Sequence, residues 1–162
     1  MGRKSRAALA VLGVAVIVGT QAGARSENGE DRSPRGCSEA TLRGAYGIQI
    51  QGTRPAAPPA PAGTIESVIG VIVRTYDGNG GFTQVNNEKG SVSGVGPADR
   101  EGFGTYQVNE DCSGSHELQI PGVPVPITDR FVIVDHGREV RHFVVSPAPV
   151  MVTGVSQKMV LP

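Results

Sequence analysis

What constrains this chain most is an apolar period of two, broken only by tight reversals. Tyr46, Ile48 and Ile50 alternate with Ala45, Gly47, Gln49 and Gln51, the pattern of a strand with one buried face. Ile65 to Tyr76 is β-branched and apolar on both faces around Val68-Ile69-Gly70-Val71-Ile72-Val73. That run predicts cover on both sides, supplied by the segment before Cys37 or by the loop preceding Ile65. Asp77-Gly78-Asn79-Gly80-Gly81 then accepts positive φ at little cost and turns the chain into Phe82 to Asn87. Asn87 to Gly90 reads as another turn, leading into Ser91 to Val95. Gly102 to Asn109, Ser115 to Ile120, Asp129 to Asp135, Val140 to Ser146 and Met151 to Met159 complete about nine short strands, with no helical period among them.

Connections this short join only antiparallel neighbours. A sheet of about eight or nine such strands either splits into two packed layers or closes on itself, and closure removes the free edges that invite aggregation. The favoured fold is all-β, an antiparallel up-and-down barrel whose last strand returns to its first. A β-sandwich is the alternative.

The amino terminus reads as an export signal. Arg3, Lys4 and Arg6 precede an apolar stretch from Ala7 to Thr20, and Ala22-Gly23-Ala24 offers a small-x-small cleavage site, so residues 1–24 are expected to be removed. The stretch is shorter than the roughly 20 residues that cross a bilayer. A secreted or periplasmic protein with no membrane contact after cleavage is expected. Residues 25–36 are rich in Ser, Glu, Asp, Arg and Gly, cannot repay the entropy of ordering, and read as a flexible tail. Residues 37–162 form the barrel domain. Without the signal the chain carries about three more acidic than basic groups and few aromatics, with no tryptophan, which argues against nucleic acid as a partner. Cys37 and Cys112 are the only cysteines, and a pair in an exported chain reads as a disulfide.

Three stretches carry a resemblance: residues 37–47 (CSEATLRGAYG), residues 76–80 (YDGNG) and residues 104–114 (GTYQVNEDCSG), joined by Phe131-Val132-Ile133-Val134-Asp135 and Val152-Thr153-Gly154-Val155. Together they resemble a group of secreted bacterial proteins that look like calycin-type barrels of the allene oxide cyclase kind. The resemblance implies an eight-stranded antiparallel barrel with an apolar cavity. These motifs are mostly turn glycines and core positions, and no catalytic residue of the plant cyclases falls on a matching motif.

An eight-stranded barrel has room for side chains or for one small ligand. Alternation aims Tyr46 and Ile48 from the first strand, and Ile72, Arg74 and Tyr76 from the second, at one lumen. With Glu66 they form the candidate ligand-binding set. A buried Arg74 needs a carboxylate partner, for which Glu66, Glu117 and Asp135 are candidates; an outward or structurally paired arginine is the plainer reading. His116, His136 and His142 lack the spacing of metal ligands and read as solvated or cross-strand residues. Asp77, Asn79 and Glu88 fall at calcium-loop spacing, but Phe82 stands where that loop needs glycine, so a plain hairpin is preferred. No metal and no cofactor is expected. The Pro-rich segment Thr53 to Gly63 reads as a linker before it reads as a lid.

Two functions follow. The first is a secreted barrel that binds a small apolar or amphipathic ligand in its lumen. The alternative is a cofactor-free isomerase or cyclase in which Tyr46, Glu66, Arg74 and Tyr76 steer proton movement. The sequence leaves open whether the protein is an enzyme, and it leaves the oligomeric state open.

Overall fold

The computed structural model describes residues 36–160, and the expected export signal and nearly all of the expected tail before Cys37 lie outside them. Nine strands follow one another: β1 (Gly44–Pro55), β2 (Ile65–Tyr76), β3 (Gly81–Gly90), β4 (Gly94–Val95), β5 (Arg100–Val108), β6 (Ser113–Gln119), β7 (Ile127–Val134), β8 (Glu139–Ser146) and β9 (Met151–Lys158). Every pairing is antiparallel, in the order β2-β1-β9-β8-β7-β6-β5-β3, and β2 pairs with β3 to close the ring. This is an eight-stranded barrel with β4 appended to β3. The last strand returns to the first, Ile48 opposite Ser156 and Ile50 opposite Gly154. The closed ring displaces the sandwich alternative.

One expected turn is absent. Asn87 to Gly90 belongs to β3, because β2 is long enough to pair with all of it, from Val68 opposite Gly90 to Tyr76 opposite Phe82. The reversal instead falls beyond Gly90, and the strand expected over Ser91 to Val95 shrinks to β4. The Asp77 turn is a hairpin: the carboxylate of Asp77 accepts the amides of Asn79 (2.7 Å) and Gly81 (3.0 Å). Glu88 lies far along β3, paired with Arg54 at 2.8 Å, which overturns the calcium-loop spacing. The segment from Ala56 to Thr64 is a mostly exposed loop that folds back on itself through the Ala56 amide and the Thr64 carbonyl (2.8 Å).

One end of the barrel is plugged by the chain before β1. A single 3-10 turn, Glu39–Leu42, drives a fully buried Leu42 into the barrel mouth. Cys37 is joined to Cys112 in the β5–β6 turn. Tyr106 donates its hydroxyl to the Glu39 carbonyl (2.9 Å), and Tyr46 donates to the carbonyl of Gly137 in the β7–β8 turn (2.5 Å). The connections β1–β2, β6–β7 and β8–β9 fall at the opposite end, since strand direction alternates around the ring.

Inside, two apolar clusters form. Tyr46, Tyr76, Phe82, Tyr106, Phe131 and Val140 belong to the one beneath the plug, and Ile48, Ile50, Val68, Ile72 and Val152 form the other. Wide side chains fit a narrow barrel because glycines on neighbouring strands leave room: a Cβ at Gly114 would overlap the Phe131 ring, and one at Gly154 would overlap the His142 imidazole. The outer face of β2 is not covered as expected. Ile69 and Val71 are 63% and 62% exposed among the described residues, because β2 is curled into a single-layer wall with only one inside.

Candidate functional site

Between the two apolar clusters runs a chain of buried polar side chains. Along β2 it enters at Arg74, between Ile72 and Tyr76; along β8 it ends at His142, between Val140 and Val144. Arg74 donates through Nε to Gln84 (2.8 Å), and Gln84 donates to Asn86 (2.6 Å), whose amide donates to the Arg100 carbonyl (3.0 Å). In the other direction Arg74 Nη1 donates to the Tyr76 hydroxyl (3.3 Å). That hydroxyl lies 2.9 Å from His116 Nε2, and His116 Nδ1 lies 2.5 Å from Asp129 Oδ1. Asp129 Oδ2 faces His142 Nδ1 at 3.3 Å.

The polarity of this chain follows from Asp129. A carboxylate only accepts, so Nδ1 of His116 carries the proton, Nε2 is left as an acceptor, and the Tyr76 O–H donates to it. The result is a continuous donor path from the Arg74 cation to the Asp129 anion. Burial opposes ionisation of Asp129, but the hydrogen bond from His116, the neighbouring His142 ring and the positive field of Arg74 outweigh it and hold the carboxyl well below its usual range. Burial also pushes the Tyr76 hydroxyl up, against the pull of Arg74. Arg74 is itself 2% exposed and sits 4.4 Å from the centre of the Phe82 ring, a cation–π contact.

Burial lowers the His116 pKa from 6.5 to about 4, with Arg74 adding to the effect and Asp129 opposing it. An unfolded histidine takes a proton below about pH 6.5 and the folded one only below about 4. Folding stability is therefore complete above pH 6.5 and is lost as pH falls toward 4, by roughly 3 kcal/mol. Urea titrations at pH 7.5 and pH 4.5 measure that loss. In a His116→Gln variant the difference between the two pH values should shrink severalfold; an undiminished difference would remove His116 as its source.

The residues singled out from sequence divide. Tyr46, Ile48, Ile72, Arg74 and Tyr76 all face the lumen and are buried. Tyr46 touches Tyr76 edge to face, ring centres 5.3 Å apart, and burial raises its pKa to about 12. Glu66 is buried too, but it does not converge with them. It accepts from Arg54 Nε (3.0 Å), from the amides of Val92 (3.1 Å) and Ser93 (2.8 Å), and from the Ser93 hydroxyl. The Ser93 amide, foremost among these, lowers its pKa to about 2. Its work is to fasten the β3–β4 turn to the barrel rim.

Arg74 is buried without a carboxylate in contact among the described residues. Glu66 is taken by Arg54, while Glu117 and Asp135 are exposed; the compensating charge is Asp129, reached through Tyr76 and His116. Sequence reasoning missed Asp129, His116 and His142 as members of one site. Parity was the available signal. His116 shares its face with Gly114 and Leu118, and His142 with Val140, all of them buried positions. His136 is fully exposed in its turn.

Asp129 and His142 keep 7% and 6% of their side chains accessible, whereas His116 keeps 1%. Both His142 nitrogens and the Ser156 hydroxyl are buried without a hydrogen-bond partner among the described residues. Two concavities, of about 770 and 510 Å³, lie on the outer wall of the barrel. Among the described residues, no group of three His, Cys, Asp or Glu side chains has the arrangement to hold a metal ion, and no helix is long and apolar enough to cross a membrane.

No protein-family model, no curated protein and no solved structure matches this chain. The eight-stranded antiparallel barrel is compatible with the calycin type that its motifs resemble.

Proposed function

We propose that this protein is an exported barrel that binds one small amphipathic molecule in its lumen, from the end opposite the plug. The observation that carries the reading is His142. A buried polar group with no partner is uncommon and costs free energy, and His142 lies at the boundary between the polar chain and the apolar cluster of Ile48, Ile50, Val68, Ile72 and Val152. A ligand with an apolar body and one polar end matches that boundary. Export rests on the Arg3-to-Ala24 signal pattern, and the Cys37–Cys112 disulfide suits an oxidising compartment. Kinship with allene oxide cyclase-like secreted proteins rests on the motifs around Cys37, Tyr76 and Cys112.

Native mass spectrometry of the purified chain, after incubation with a mixture of medium- and long-chain acids and alcohols, tests the reading. One retained molecule per chain is expected. Ile72→Trp, which fills the apolar half, should abolish the adduct while the far-UV spectrum stays that of the parent. Ligand-free protein throughout would overturn it.

A second reading, a cofactor-free isomerase or cyclase, is favoured by one observation: the Tyr76–His116–Asp129 path, a phenol hydrogen-bonded to a histidine that a carboxylate orients. Such a set moves a proton to or from a bound molecule. Glu66, held by Arg54 and Ser93, has no part in it. Deuterium entering a retained unsaturated ligand in heavy water, and not entering it with His116→Gln, is the expected signature.

A further inference from the structure

The barrel has two unlike outer walls. On the side formed by β9, β1, β2 and β3, the outward positions run through Met151, Thr153, Val155 and Gln157, then Gly47, Gln49, Gln51 and Thr53, then Ile65 to Thr75, then Thr83 to Lys89, and Lys89 is the single charge among them. The outward positions of β5 to β8 include Glu101, Glu117, Arg130, Glu139 and Arg141. In a chain that is 19% charged, this asymmetry is not what solvent exposure alone selects. A solvated strand face ordinarily carries charge, and an uncharged β-branched face marks a contact.

We infer that this uncharged wall is the interface between two copies of the chain, related by a twofold axis. Its relief is self-complementary. Ile69, Val71 and Val73 make a ridge along β2. Along its flanks, where Gly47 of β1 has no side chain, runs a groove of about 510 Å³ lined by Val155 and Met159 towards β9 and by Val85, Asn87 and Asp99 towards β3. A twofold axis between β1 and β2 seats each ridge in the other copy's groove, the arrangement an isologous contact requires. Lys89 on the wall and Asp99 at the groove's β3 edge are opposite in sign, so bringing two such faces together costs little like-charge repulsion.

Size fits a weak association. Four strands about 4.8 Å apart and about ten residues long make roughly 600 Å² of unrolled wall, about 400 Å² in projection because half a closed ring is curved, below the roughly 800 Å² that each partner contributes to a standard interface. Residues 25–35 of the same chain do not suit the wall, because they are almost wholly polar or charged.

Sedimentation equilibrium of the purified chain up to about 100 µM tests the inference, with twice the chain mass expected at the upper end. Val71→Glu should weaken association by about 100-fold or more without altering the far-UV spectrum, and Ile69→Lys should do the same. Val132→Glu, on the charged wall, should leave association as it was. A monomer at the highest concentration, or any stoichiometry other than two, would overturn the inference. So would association broken by Val132→Glu and not by Val71→Glu. A monomer that co-sediments with vesicles of phosphatidylethanolamine and phosphatidylglycerol would give the wall to a lipid surface and overturn it equally.

Discussion

Asp129→Ala should lower folding stability by about 3–5 kcal/mol, as removal of one member of a buried charged network does. The carboxylate accepts from His116 and faces His142, and it is the anion that balances Arg74 across the lumen. Alanine leaves the His116 Nδ1–H with nothing to receive it and leaves Arg74, still hydrogen-bonded to Gln84 and Tyr76, without a balancing charge inside the barrel, and burying an unpaired donor costs more than its hydrogen bond contributes. Urea denaturation of the variant beside the parent measures the loss. Combining Asp129→Ala with Arg74→Met should recover part of it, because the charge left unbalanced is then gone; the two changes should be non-additive by about 1–3 kcal/mol. A loss below about 1 kcal/mol for Asp129→Ala alone would mean that the polar chain is not held by its charges.

Replacing Cys37 and Cys112 together with serine should cost up to about 4.5 kcal/mol on the chain-entropy account, since the bond closes a loop of 75 residues. The structure adds a reason for the effect to be large here. The disulfide fixes the segment that plugs the barrel, and Leu42 of that plug is buried in one cluster with Tyr46 and Tyr106. Freeing the segment should expose the aromatic cluster before the strands separate. The expected result is a lowered midpoint with increased binding of a hydrophobic dye ahead of the main transition. Dye binding that rises only with the main transition would show that the plug stays seated without its bond.

The candidate site was legible in part. Tyr46, Ile48, Ile72, Arg74 and Tyr76 could be placed on a common face because a strand alternates strictly, and parity survives any error in where the strand ends. Glu66 obeyed the same parity, yet its position near the barrel rim gave its carboxylate to Ser93 and Arg54 in place of a ligand. Arg74 was expected to take a carboxylate partner if buried, and none of the three candidates pairs with it, because sequence distance is no guide to which carboxylate a closed ring brings near. Asp129 lies 55 positions away and across the barrel. The uncovered face of β2 misled for a related reason. Apolar residues on both faces of a strand call for cover, and the chain does not say whether that cover is its own or a second copy's.

The sequence by itself determined most of the strands and antiparallel reversals, the one over Asn87 to Gly90 excepted, and the pair of cysteines, because alternation, turn chemistry and thiol count are local properties written in the order of residues. Only the tertiary structure decided which inward side chains meet. Closing β3 onto β2 and β9 onto β1 brings into one lumen groups supplied by β2, β3, β6, β7 and β8, and the low polarity of that lumen turns an arginine, a tyrosine, two histidines and an aspartate into a single ordered chain.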